Sequence, residues 1–167
     1  KPSEFTPKSA DLFREIALAA GVPSSVFQVI VGGPNVGRKI LQEDVDFVSF
    51  TGSGAGGISV EKQMAGKLAK LILELGGSNP IIVLPSANLK KAAEAIMASA
   101  FSNAGQRCAA GSRLIAHTLI YEELIAELID ISDSLTYGTS SRAYLGTLIS
   151  REARSRHDSY LDWAEGQ

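Results

Sequence analysis

Cys108 is the only cysteine in 167 residues, so its surroundings decide what it can do. A thiolate is an intrinsically strong nucleophile, but an ordinary thiol with pKa about 8.5 is only a few per cent ionised at neutral pH. A reacting cysteine therefore needs a nearby base or N–H donors. Cys108 sits in Asn103-Ala104-Gly105-Gln106-Arg107-Cys108-Ala109-Ala110-Gly111. That run is small, has glycine on both sides, and falls outside any apolar periodicity. A lone cysteine is otherwise a small buried hydrophobe. Glu74 is the second candidate. It ends the apolar run Lys70-Leu71-Ile72-Leu73-Glu74-Leu75, just before Gly76-Gly77. A carboxylate there can act as a base or accept hydrogen bonds from a sugar.

Gly52-Ser53-Gly54-Ala55-Gly56-Gly57 is the third feature and fits G-x-G-x-x-G. Missing Cβ atoms let backbone N–H groups approach a phosphate, and a helix starting there adds a favourable dipole. The same run also serves as a tight strand-to-helix turn. The usual dinucleotide pattern expects an acidic residue about 20 positions on. Glu74 nearly meets it, so its two readings stay open at this level. Lys1 and Glu4 form a charged pair that reads as solvated surface. His117 reads as a surface or capping residue, and Tyr160 and Trp163 as packing residues.

The elements that must position these groups follow from periodicity. Pro7 suits a first helical turn, Leu12, Phe13, Ile16, Ala17 and Ala20 keep helical spacing, and Gly21 stops it. Val26 to Val31 reads as a buried strand, and Val36 to Leu41 as a short helix. Phe47 to Phe50 is a strand ending at Thr51-Gly52, Ile58 to Met64 a helix, and Lys70 to Leu75 a strand. After Gly77 the pattern restarts. Pro80 to Leu84 is a strand, Asn88 caps a helix through Leu89, Ala93, Ile96, Met97 and Phe101, and Arg113 to Ala116 is a strand. Thr118 caps a helix through Leu128, Ser132 to Ser141 is loop, and Arg151 to Trp163 is a charged helix. Helices alternating with short apolar strands give an α/β fold of parallel, Rossmann-like βαβ units. We divide it into two partial domains, 1–73 for nucleotide binding and 74–167 for catalysis.

Composition narrows the class. A net charge of −2 without a basic run argues against nucleic acid. The longest apolar runs are too short to span a bilayer. One cysteine excludes an internal disulfide and suits a reducing, cytoplasmic setting. Neither His117 nor His157 has a partner at metal-ligand spacing, so no metal site is expected. Both ends of the chain read as cut from something longer.

Several of these segments together resemble the NAD(P)-dependent aldehyde dehydrogenase superfamily. They are Lys1-Pro2-Ser3-Glu4, Phe50-Thr51-Gly52-Ser53, Leu73-Glu74-Leu75-Gly76-Gly77, Gly105-Gln106-Arg107-Cys108 and Ala110-Gly111-Ser112-Arg113. Asn79-Pro80 and Tyr121-Glu122 add weaker support. The 34-residue spacing of Glu74 and Cys108 also agrees with the family. The resemblance runs through most of 1–135 and thins afterwards.

It implies oxidation of an aldehyde to its acid with NAD or NADP. Cys108 would add to the aldehyde, a thiohemiacetal and then a thioester would form, and Glu74 would activate the nucleophile, the hydrolytic water, or both. Lys1 and Glu4 would hold the adenine ribose. Ser53, with Gly52 and Gly57 in the same turn, would serve the pyrophosphate. The Cys108 N–H would be one oxyanion donor. A carboxylate at Glu4 favours NAD over the 2′-phosphate of NADP. A homodimeric or homotetrameric parent enzyme and a small aldehyde substrate complete the expectation.

The sequence departs from the family pattern in places. Gly54-Ala55 stands where a polar or acidic pair is common, and Thr147 replaces proline in Gly146-Thr147-Leu148-Ile149-Ser150. The family's upstream asparagine donor and its downstream nicotinamide-holding glutamate and phenylalanine fall outside this stretch, so the piece alone is expected to turn over little or nothing. Two rivals are weighed against this reading. One is a nucleotide-binding module with an inert Cys108, and the other is a catalytically dead structural or regulatory relative. A coenzyme A-acylating variant is disfavoured by Glu74, since such relatives tend to lack that glutamate.

Overall fold

Hydrophobic stripes with two different periods build this chain. The computed structural model describes residues 1–140 and 143–166. The end of the expected Ser132–Ser141 loop and the terminal Gln167 lie outside the described residues. The chain divides into two compact units, Lys1–Leu75 and Gly76–Gln167. Glu74 belongs to the first and Cys108 to the second.

In the first unit, α1 (Pro7–Ala19) has proline in its opening turn, where a missing N–H costs nothing. It ends ahead of Gly21 at φ +92, a backbone setting that favours glycine. α2 (Pro34–Ile40) repeats the proline start. β1 (Phe47–Gly52), α3 (Gly54–Met64) and β2 (Lys70–Leu75) form one βαβ unit, with β1 and β2 parallel and Thr51 registered on Glu74. Alternation does the sorting. Val48, Phe50, Leu71 and Leu73 face a core centred on Leu41, Val60 and Met64. Phe47, Ile72 and Glu74 are exposed.

Residues 26–31 do not form the expected strand. Val26 and Phe27 instead donate to the Pro23 carbonyl and close a turn. A β-branched run becomes a strand only when a neighbour completes its ladder, and among the described residues none pairs with it. Helix α3 also begins four residues before the expected Ile58, because Ser53 caps it.

In the second unit, β3 (Asn79–Val83) pairs parallel with β4 (Gly111–Ala116). The register slips between Asn79 and Pro80, leaving Ser112 as the extra residue of a bulge. Proline, which cannot donate to a ladder, is tolerated at such a place. α4 (Leu89–Phe101) is capped by the Asn88 side chain, which accepts from the Lys91 N–H. α5 (Tyr121–Ser134) follows a short 3-10 turn, Thr118–Ile120. Thr118 is not the cap. The His117 ring accepts from the Leu119 N–H at 3.2 Å instead.

The second core gathers Val83, Ala93, Ile96, Ile120 and the fully buried Leu124. α6 (Arg151–Glu165) starts at Ser150, whose hydroxyl accepts from Ala153 N–H. It buries none of its residues, and Tyr160 and Trp163 are 74% and 66% exposed, not packed as expected. The spacing of their side chains is amphipathic, but no described element covers that face. Among the described residues, no helix is long and apolar enough to cross a membrane.

Candidate active site

The Cys108 turn is built by a sharp reversal after α4. Asn103 (φ 56), Ala104 (φ 54) and Gly105 (φ +69) are consecutive left-handed residues. A left-handed setting costs an ordinary residue roughly 1–2 kcal/mol, and such settings concentrate at functional sites. Gly105 also has no room for a side chain, since a Cβ there would stand 2.9 Å from the Ala100 carbonyl oxygen. The chain then turns tightly at 107–110, with Ala110 N–H donating to the Arg107 carbonyl at 3.1 Å. Cys108 occupies the first corner and is exposed.

Side chains from elsewhere in the unit clamp this turn. Asn79 Nδ2 donates to the Cys108 carbonyl at 2.7 Å and to the Ala110 carbonyl at 3.0 Å. Arg107 reaches back to the Ala98 and Ser99 carbonyls at 3.4 Å each, so its guanidinium serves the end of α4. Gln106 uses both ends of its amide on the segment before α6. Nε2 donates to the Thr147 carbonyl at 3.2 Å, and Oε1 accepts from Ile149 N–H at 2.9 Å. The Gly105-Gln106-Arg107-Cys108 and Gly146–Ser150 segments, noted separately in the sequence, are thus joined by one side chain. Sequence reasoning passed over Asn79 as an active part of the site. Its sequence signals were a polar amide before a proline at a strand's start and the weak family match of Asn79-Pro80.

In the first unit, Ser53 is the N-cap of α3, with Oγ accepting from Gly56 N–H at 3.1 Å. Gly57 N–H is taken by the Ser53 carbonyl at 2.9 Å. The amides of Gly54 and Ala55 remain as first-turn donors without a carbonyl one turn back.

The glycines divide by purpose. A Cβ on Gly52 would stand 2.6 Å from Phe50 Cζ, one on Gly56 2.8 Å from the same atom, and one on Gly57 2.7 Å from Leu75 Cδ2. Gly57 is buried, so its missing side chain admits Leu75. A Cβ on Gly54 meets nothing within 4 Å. Glu74 is exposed at the carboxyl end of β2, beside Thr51 and one position from Gly52 in register. In open α/β sheets, ligands bind outside these strand ends.

Lys1 and Glu4 come together as the sequence pairing anticipated, Nζ to Oε2 at 3.8 Å. Their side chains lie over the start of α2. Glu4 Oε1 is 3.6 Å from the place of a Cβ on Gly33, and Lys1 Cδ is 3.9 Å from that of one on Gly37.

Comparison with known proteins turns this arrangement into a classification. The aldehyde dehydrogenase family pattern matches residues 1–167. The chain belongs to the aldehyde dehydrogenase family. It is 39% identical over 140 residues to N-succinylglutamate 5-semialdehyde dehydrogenase of Novosphingobium aromaticivorans, covering 83% of this chain and 30% of that protein. It is 36% identical over 166 residues to betaine aldehyde dehydrogenase of Bacillus subtilis, covering 97% of this chain and 34% of the relative. The crystal structure of an NAD-dependent aldehyde dehydrogenase from Sinorhizobium meliloti superposes with a TM-score of 0.92 at 37% identity, over 96% of this chain and 33% of that one. The chain spans about a third of the length of the relatives it matches. The α/β fold with parallel strands is that of this family.

Proposed function

We propose that this chain is the segment of an aldehyde-oxidising enzyme that carries its nucleophile, its base and part of its nucleotide site. The observation that carries the reading is Cys108, an exposed thiol on a turn whose Arg107, Cys108 and Ala110 carbonyls are engaged. A buried structural cysteine would need none of that fixation.

Cys108 adds as thiolate to the aldehyde carbon. The carbonyl oxygen gains the negative charge, and the Cys108 N–H donates to it. Donors of this kind are worth about 3–4 kcal/mol each in enzymes where they have been removed. Loss of the carbon-bound hydrogen with its electron pair turns the thiohemiacetal into a thioester. Glu74 then takes a proton from water, the water oxygen attacks the thioester, and the acid leaves as the C–S bond breaks.

A nicotinamide cofactor, when bound, supplies the two-electron acceptor. The first unit offers it fitting groups. The Glu4 carboxylate and Lys1 ammonium suit ribose hydroxyls, and the Ser53 hydroxyl with the Gly54 and Ala55 amides suits phosphate. Gly52 and Gly57 contribute by letting Phe50 and Leu75 close against the turn. Glu4 favours NAD, because a carboxylate accepts from a 2′-hydroxyl but repels a 2′-phosphate. The substrate is a small aldehyde, and the parent enzyme is a cytoplasmic homo-oligomer.

The test uses the full-length enzyme that contains this segment. Cys108→Ala abolishes aldehyde oxidation, and iodoacetamide labels Cys108 rapidly in the unmodified enzyme. Persistent oxidation by Cys108→Ala overturns the mechanism. An alkylation-resistant Cys108 together with weakened NAD binding in Glu74→Gln would mark a nucleotide-binding module instead. Tighter binding of NADP than of NAD would overturn the cofactor preference.

A further inference from the structure

Three features compete for attention outside the proposed mechanism. The apolar hollow of about 530 Å³ beside β3 and α4 and the bare face of α6 both lack any indication of what covers them. The clamp on the Cys108 turn carries further, because each of its contacts is defined.

We propose that Asn79 is the positioning residue of the nucleophile turn. Its carboxamide fixes the peptide that follows Cys108, so that the thiol and the Cys108 N–H keep one orientation toward the reacting carbonyl. This rests on the reading of Cys108 as nucleophile.

Residues 107–110 form a β-turn, closed by Ala110 N–H donating to the Arg107 carbonyl. In a planar trans peptide the N–H points opposite the carbonyl. Engaging the Arg107 carbonyl therefore sets the direction of the Cys108 N–H. Among the described residues, that N–H has no acceptor.

The central peptide of a β-turn, here between Cys108 and Ala109, is the unit that rotates between turn types. The rotation changes ψ of Cys108 and carries Ala109 toward positive φ. Ala109 is not at positive φ in this structure, and Asn79 holds the Cys108 carbonyl at 2.7 Å. The second Asn79 hydrogen bond, to the Ala110 carbonyl at 3.0 Å, ties down the far end of the same turn.

The fold places Asn79 for this task. It pairs in register with Gly111, directly after the turn, and the register slip at Pro80 follows it. Asn79 supplies two N–H donors to two carbonyl oxygens. Aspartate at the same position, with the same shape, would set acceptors against acceptors and push the central peptide away.

That chemistry gives an ordering that packing alone does not. In the full-length enzyme, with kcat normalised to NAD-binding sites so that unfolded protein does not count, Asn79→Asp lowers kcat about a hundredfold and Asn79→Ala about tenfold. Asn79→Ser, which retains one donor, falls between alanine and the parent. KM for the aldehyde and affinity for NAD stay within about threefold, and iodoacetamide still alkylates Cys108. Alanine as harmful as aspartate, or all three variants within about twofold of the parent kcat, overturns the proposal. Retained activity in Cys108→Ala would instead overturn the nucleophile reading on which it rests.

Discussion

Replacing Gly52 with alanine tests whether the glycines of the Gly52–Gly57 turn are there for packing. The added Cβ would stand 2.6 Å from Phe50 Cζ and 2.9 Å from Cε1. Carbon atoms prefer about 3.5–4.0 Å, so the ring must retreat by about 1 Å. It cannot fold out of the way as an aliphatic tip can, because Phe50 is rigid and packs on the Leu41, Val60 and Met64 core. Overpacking of this kind costs about 1–3 kcal/mol. Against it stands a gain of about 0.4–1 kcal/mol from stiffening the unfolded chain. The net expectation is a loss of about 1–2 kcal/mol.

Gly54→Ala is the internal control, since its Cβ meets no protein atom within 4 Å. It should be neutral or stabilising by up to about 1 kcal/mol. Urea denaturation followed by circular dichroism reads both variants, provided the m-value is unchanged. Phe50→Leu combined with Gly52→Ala should recover about 1 kcal/mol of coupling. Equal stability of Gly52→Ala and Gly54→Ala would refute the packing argument. Any loss of nucleotide affinity in Gly54→Ala then reports contact with the ligand, because the protein itself does not oppose that methyl group.

Other expectations follow from single contacts. Leu124→Ala, at a fully buried site, should cost about 2–5 kcal/mol in the same denaturation assay. Gln106→Ala removes both bonds to the 147–149 segment, worth about 1–2 kcal/mol together, so exchange of the Ile149 amide should quicken roughly 5- to 30-fold. Titrating carboxyl carbons by NMR should place Glu152 and Asp158 below the usual carboxylate range. The Glu152 backbone N–H and the Ser150 side chain lower the first, and the His157 ring followed by Arg154 lowers the second. With folded values lowered, these groups stabilise α6 above the ordinary carboxylate pKa, and that contribution disappears as pH falls through the lowered values. Ser150→Ala should move Glu152 back toward normal.

The sequence by itself determined several elements whose pattern is local. Lys70–Leu75 and Leu89–Phe101 have the bounds their periodicity implied, and Asn88 caps as its type predicts. Cys108, Glu74 and Ser53 stood out as candidates by residue type and spacing, and the roles proposed for them come from the family resemblance. Tertiary structure alone decided the rest. Residues 26–31 have strand composition but no partner, and a strand exists only through its ladder. Between two residues that could both cap, His117 and Thr118, the ring orientation of His117 decided. The roles of Asn79 and Gln106 depend on backbone groups 29 to 43 positions away. A side-chain amide carries the same donors everywhere, and only the folded chain decides which backbone groups it meets.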